Sequence, residues 1–314
     1  MISRRTALST AIAAFATAKG SAGFGQTSPR LLFVHGRAQG GRDAQEIRNE
    51  WVAAFQEGAR AAGVAPPSNV DVRLPFYGDE LDRLTREFSV PLASEITTKG
   101  NKAQDDFLTF QEEIANEMRR GAGIEDDQVD ELYGDNPREK GPQNWEWVQA
   151  IIAALDKHAG SLSTDAIELF LRDVFLYISY TSVQNSINAI VTAQMSSQPT
   201  VVVAHSLGTV VTYNILSQGA VYDVPLFVTL GSPLGIRAIR RKFSPIRHPA
   251  SVDTWVNAMD TRDIVALHPL DQDNFDVRPA ISNIVSIRNQ TRNRHGISGY
   301  LDKPSVVSKV VAAL

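Results

Sequence analysis

The chain has 314 residues, enough for one large α/β domain or two small ones. It contains no cysteine, which excludes a disulfide framework, a thiolate metal site and a cysteine nucleophile. A formal net charge of −4 gives no electrostatic case for nucleic-acid binding, and no aliphatic run is long enough to span a bilayer, so no integral membrane segment is expected in the mature chain.

Residues 1–26 read as separate from the fold. A basic start at Arg4 and Arg5 is followed by the weakly apolar stretch Ala11–Ala18 and by small residues up to about Gln26. That is the layout of a secretory signal peptide. Ser3-Arg4-Arg5 resembles a twin-arginine export signal, with Ala7 where that motif usually has a large apolar residue. The expectation is a periplasmic or secreted protein; a disordered arm on a cytoplasmic one is the alternative.

Leu31–His35, four apolar residues closed by a histidine, has the pattern of a strand buried on both faces. A polar stretch from Arg37 to Asp43 leads into a helix from Ala44 to Ala62, with Ile47, Trp51, Phe55 and Ala59 on one face. Pro66 and Pro67 break it, and Val70–Leu74 alternates like a strand before running into Pro75-Phe76-Tyr77-Gly78. Residues 79–163 change character: they are polar and helical, with Phe107, Phe110, Ile114 and Met118 on one amphipathic helix and Trp145, Val148, Ile152 and Leu155 on another. Between these helices the acidic stretch Glu125–Glu131 reads as a solvated loop. With no strand pattern in it, this region reads as a helical cap inserted into a core made of residues 27–78 and 164–314. Ile167–Tyr180 and Val183–Met195 are helical again. Thr200–Ala204 is a second β-branched run, turning at Ser206 into a helix that ends near Ser217. Val224–Leu230, Ser251–Asn257 and Ile284–Arg288 complete the strands, and a polar loop carrying His295 leads to a last helix over 304–314. About six strands separated by helices predict an α/β fold: a mostly parallel sheet with helices on both faces.

In such sheets the loops leaving the carboxyl ends of strands build the site. Ala204 and Gly208 flank Ser206 with small side chains, so a tight strand-to-helix corner can hold its hydroxyl beside the Leu207 N–H. Asp260 and Asp263 follow a later strand, and His295 follows the last. Serine, acid and histidine in that chain order, each at a strand end, provide a nucleophile, a carboxylate to orient the base, and the base itself.

Those residues resemble the α/β-hydrolase superfamily, specifically lipase- or esterase-like serine hydrolases. Phe33-Val34-His35-Gly36-Arg37 is similar to their oxyanion strand, Ala204-His205-Ser206-Leu207-Gly208 to their nucleophile elbow, and Thr229–Pro233 to the strand end that follows. Asp260–Val265 resembles the acid loop and His295–Leu301 the histidine loop. The resemblance covers roughly residues 30–77 and 165–314; the first elbow glycine is replaced by Ala204, and the cap resembles nothing assignable. It implies an α/β-hydrolase sheet, with Ser206 as nucleophile, His295 as base and Asp263 as acid, Asp260 being the rival. Leu207 would supply one oxyanion N–H, with Arg37 favoured over Gly36 for the second.

The implied activity is carboxylic-ester hydrolysis through an acyl-enzyme on Ser206, acting on a small-molecule or lipid ester without a cofactor or metal. A thioesterase, amidase or peptidase with the same residues, or a non-catalytic binding module, are the alternatives. No two histidines lie at helical ligand spacing, which disfavours a metal-dependent hydrolase. His35 and His205 are expected to serve packing and loop hydrogen bonding, and His248 and His268 belong to other loops. Tyr77 fits either the mouth of a pocket or a packing position. The cluster Arg237, Arg240, Arg241, Lys242 and Arg247 reads as a solvated helix face, or alternatively as an anion contact.

Overall fold

Six short strands pair side by side in a computed structural model of the chain, the central four rich in β-branched and apolar residues and the two edge strands mostly polar: β1 (Arg30–Val34), β2 (Asp71–Arg73), β3 (Thr200–His205), β4 (Val224–Leu230), β5 (Val252–Ala258) and β6 (Ser282–Ile284). The structure describes residues 28–314 except 38, 93–94, 96–101, 136–138, 142–143, 161 and 220–221. The segment read as an export signal lies outside the described residues. The strand order is β2-β1-β3-β4-β5-β6 and every neighbouring pair is parallel. An α/β architecture with a parallel sheet is therefore what forms.

Period-two alternation sends successive side chains to opposite faces, and both faces are covered. Leu31, Phe33, Val201, Val203, Leu226 and Val228 pack with α1 (Ala44–Ala62), α10 (Ser298–Leu301) and α11 (Pro304–Ala312). Leu32, Val34, Val202 and Ala204 face the other way, into one cluster shared with the helices between β2 and β3. Those are α2 (Gly78–Phe88), α3 (Lys102–Gly121), α4 (Asp126–Tyr133), α5 (Trp145–Ala154), α6 (Thr164–Ser179) and α7 (Thr181–Thr192). Phe107, Ile114, Met118, Val148, Ile151 and Ile152 thus share a continuous apolar interior with the sheet. α8 (Leu207–Ser217) and the short α9 (Arg237–Arg240) are the remaining α-helices among the described residues.

Two elements differ from the sequence expectation. The acidic stretch Glu125–Glu131 forms most of α4 instead of a loop. Glu125 and Gln128 close a capping box at its start, and Val129 is fully buried, so one apolar anchor and a good cap outweigh the local charge. The last strand is Ser282–Ile284, not Ile284–Arg288. Beyond Ile284 the chain turns across the end of β5: Val285 is 48% exposed, and Ser286 makes only a single antiparallel bridge to Asp260.

Starting from β1, the chain adds β2 on one side and β3 on the other, so the carboxyl ends of β1 and β3 flank the point where the winding reverses. Crevices of parallel sheets open at that point. Register aligns Val34 with Ala204 and His205 with Leu230, bringing the loops that carry Gly36, Ser206 and Gly231 out at one level.

Candidate active site

β3 ends at His205 and α8 begins at Leu207, leaving Ser206 alone to turn the chain, with φ 54° and ψ −129°. A non-glycine residue there costs about 1–3 kcal/mol and needs a surround that enforces it. The Ser206 N–H donates to the Leu230 carbonyl at 3.0 Å, and its own carbonyl accepts from Thr209 N at 2.9 Å and Thr209 Oγ1 at 2.7 Å. Gly208 makes the packing possible, because a Cβ there would lie 2.4 Å from the carbonyl oxygens of Val34 and His35. On the facing strand end, a Cβ on Gly36 would come within 2.9 Å of the Ser206 Cβ.

Three side chains from separate strand ends meet above this corner. His295 Nε2 lies 2.8 Å from Ser206 Oγ, and His295 Nδ1 lies 2.7 Å from Asp263 Oδ2. With Nδ1–H donated to the carboxylate, Nε2 is the free acceptor for the serine proton. Ser206 and Asp263 are each 2% exposed and His295 9%, so little water competes for these bonds. Asp263 also accepts from Val265 N at 2.9 Å and from the Tyr300 hydroxyl at 2.7 Å, which locks its carboxylate plane. Tyr300 carries no sequence signal of this role. It stands five residues after His295, and nothing in that spacing says that its ring turns back to Asp263. Burial, and then the Asp263 charge, push its phenol well above the usual range, so it is a donor to Asp263.

The rival carboxylate has other partners. Asp260 accepts from Arg262 N and Nε, both at 2.9 Å, from Arg262 Nη2 at 2.5 Å and from Asn289 N at 2.7 Å. Burial works to raise its pKa, but these bonds outweigh it and hold the group at about 2. Asp260 thereby fastens the turn after β5 to the loop that carries His295. The same loop is held where the His295 carbonyl accepts from His205 Nε2 at 2.7 Å. Burial, and then the neighbouring His295, depress His205 far below the ordinary histidine range, so it is a neutral strut.

Two backbone segments border Ser206 Oγ. One is the first turn of α8, where the Leu207 N–H has no intrahelical acceptor and the helix dipole is positive. The other is the loop after β1. His35 Nδ1 lies 2.6 Å from the Gly36 carbonyl oxygen, and His35 Nε2 accepts from Tyr77 N at 3.1 Å. Burial lowers the His35 pKa to about 4, which keeps the ring neutral with Nδ1 as donor. Because a trans peptide points its N–H opposite its carbonyl, the Arg37 N–H is aimed away from the His35 ring. Tyr77 takes the packing place and not the pocket mouth. It is 1% exposed, its ring stacks on His35 at 4.0 Å, and its hydroxyl donates to the His35 carbonyl.

A cavity of about 280 Å³ opens over Ser206 and His295. Trp51, Leu162, Phe170, Val265 and Ile297 supply apolar wall, and Arg37, Gln39, Arg42, Glu50 and Asn293 are among its polar members. Arg42 is paired with Glu50 at 2.5 Å and Arg37 with Asp173 at 3.0 Å, so the charges lining it are internally balanced. The chain matches no protein-family model, no curated protein and no solved structure.

The remaining candidates are engaged elsewhere. His248 packs on Trp255, and His268 Nε2 meets Glu117 at 2.7 Å. Of the basic cluster, Arg241 is paired with Glu113 at 2.9 Å and Arg240 donates to the carbonyls of Asp273 and Asn274. Part of that face therefore holds α3 against the β4–β5 side. Among the described residues no three His, Asp or Glu side chains gather where they could hold a metal ion.

Proposed function

We propose that this protein is a serine hydrolase of the α/β-hydrolase type that cleaves short carboxylic esters. The observation that carries the reading is the hydrogen-bonded series Ser206–His295–Asp263, with links of 2.8 and 2.7 Å, at the floor of a cavity. The position of that cavity at the sheet's reversal point supports it. Ser206 Oγ attacks the ester carbonyl as His295 Nε2 takes its proton, and Asp263 stabilises the imidazolium that results. The tetrahedral oxygen takes hydrogen bonds from the Leu207 and Arg37 N–H groups. Collapse breaks the bond to the alkoxy oxygen, which leaves as alcohol with the proton from His295. Water, deprotonated by the same nitrogen, then attacks the acyl-serine; the acyl C–Oγ bond breaks, His295 returns the proton to Ser206 Oγ, and the acid is released.

Size narrows the substrate. A cavity of about 280 Å³ lies at the small end of the range of roughly 300–1,000 Å³ found for ligand pockets. That size favours short acyl groups over long lipid tails. Within this proposal residues 1–26 direct export, which mass analysis of the N-terminus of exported protein would test.

Turnover of p-nitrophenyl acetate by the wild type, and its loss by at least about 10³-fold in Ser206→Ala, is the expected result. A fluorophosphonate probe should label Ser206. Undiminished turnover in Ser206→Ala sinks the assignment. Faster cleavage of emulsified long-chain esters than of acetate or butyrate esters refutes the size argument alone.

A further inference from the structure

Arg37 contributes its peptide N–H to the mechanism above, and its side chain reaches an element distant in sequence. Its Nε donates to Asp173 Oδ2 at 3.0 Å across a separation of 136 residues, from the loop after β1 to α6. The Asp173 side chain is only 7% exposed, and Arg37 is its one hydrogen-bond donor among the described residues. Burial raises the Asp173 pKa, and the Arg37 charge and hydrogen bond oppose that rise. An ion pair this far out of water is a weak source of stability, because desolvation offsets most of its attraction. Its location suggests a different use.

The Gly36–Arg37 peptide is held from several sides. Its carbonyl is held by the His35 ring, the next carbonyl accepts from Gln39 Nε2 at 3.1 Å, and Gly36 itself lies against Ser206. Asp173 holds the same unit through the Arg37 side chain. We infer that Asp173 is a positioning residue for the oxyanion site, setting the direction of the Arg37 N–H by anchoring the Arg37 guanidinium to α6. This rests on the hydrolase reading. It makes the helical segment between β2 and β3 a part of the catalytic geometry as well as a wall of the cavity. A donor aimed at the oxygen acts only once charge has developed there, so its misalignment lowers kcat and spares ground-state binding.

The test is Asp173→Asn, which keeps volume and removes charge. On p-nitrophenyl acetate, kcat should fall by about 10- to 100-fold with KM within about twofold. Fluorophosphonate labelling of Ser206 should slow by the same factor, because the phosphoryl oxygen uses the same donors. Alkylation of His295 by iodoacetamide, which creates no oxyanion, should keep its wild-type rate, and Asp173→Glu should recover part of kcat. An unchanged kcat, a rise confined to KM, or an equal slowing of both reagents would each overturn the inference. If Asp173→Asn does not fold, the double variant Arg37→Met, Asp173→Leu removes both charges and keeps the peptide N–H. A wild-type kcat there overturns the inference, and a comparable loss supports it. Turnover surviving in Ser206→Ala would instead defeat the hydrolase reading.

Discussion

The burial of His35 makes stability depend on pH in a defined window. In the folded protein its pKa is lowered from 6.5 to about 4, because desolvation disfavours the imidazolium more than the Gly36 hydrogen bond favours it. Between those values the unfolded chain binds a proton at this position that the folded chain refuses. Stability therefore rises with pH across the window and is lost as pH falls from 6.5 towards 4. At about 1.4 kcal/mol per pH unit, His35 alone removes roughly 3 kcal/mol, a large share of the ~5–15 kcal/mol that holds a typical domain together. His205, depressed further by burial, acts in the same direction. Asp173, raised by burial, acts in the opposite one. Asp260, at about 2, titrates below the window. The informative comparison is thus between proteins that differ only at residue 35. Urea unfolding at a series of pH values from 7 to 4 should give the wild type a steeper fall in stability than His35→Gln. The variant itself should be less stable at pH 7, by about 1 kcal/mol for each of the Gly36 and Tyr77 hydrogen bonds it loses. Parallel stability curves for the two proteins would refute the argument, since they would mean that His35 takes up its proton without unfolding.

The two carboxylates of the turn after β5 should separate by assay. Asp263→Asn removes the partner of His295 Nδ1 and is expected to lower kcat by about 10³- to 10⁴-fold with little change in KM, read from ester hydrolysis. Asp260→Asn should act first on stability, leaving the Asn289 N–H without its charged acceptor at a cost of about 1–3 kcal/mol, read from thermal melting. Equal kinetic losses in the two variants would show that the roles are not divided this way. Gly208→Ala places a Cβ 2.4 Å from two carbonyl oxygens of β1, so strand and elbow must part by about 1 Å. A fall in kcat on the order of 100-fold should accompany a destabilisation of about 1–3 kcal/mol; a wild-type melt with wild-type turnover would contradict the close packing.

Much of the scaffold is legible one residue at a time. Val224–Leu230 forms β4 and Ala44–Ala62 forms α1 over the spans their patterns indicate, because a β-branched run or a 3.6-residue stripe commits the local backbone before any partner is present. Where local signals are weak or mixed, the outcome departs. Glu125–Glu131 looks solvated, yet one cap and Val129 make it helical. Ile284–Arg288 has the composition of a strand, yet its pairing is diverted by the crossing to Asp260.

The sequence by itself determined that a parallel sheet would form and that Ser206 would stand at a sharp strand-to-helix corner. Both follow from side-chain volume and periodicity within a few residues. Only the tertiary structure decided which of two aspartates three positions apart would stand against His295. Both have the same chemistry, and the choice lies in how the turn after β5 is tied to Asn289 on one side and Tyr300 on the other. The same holds for Tyr77, drawn into a stack on His35, and for Asp173, brought to Arg37 from 136 residues away. Those placements depend on how helices pack across the sheet, and packing depends on the whole chain at once.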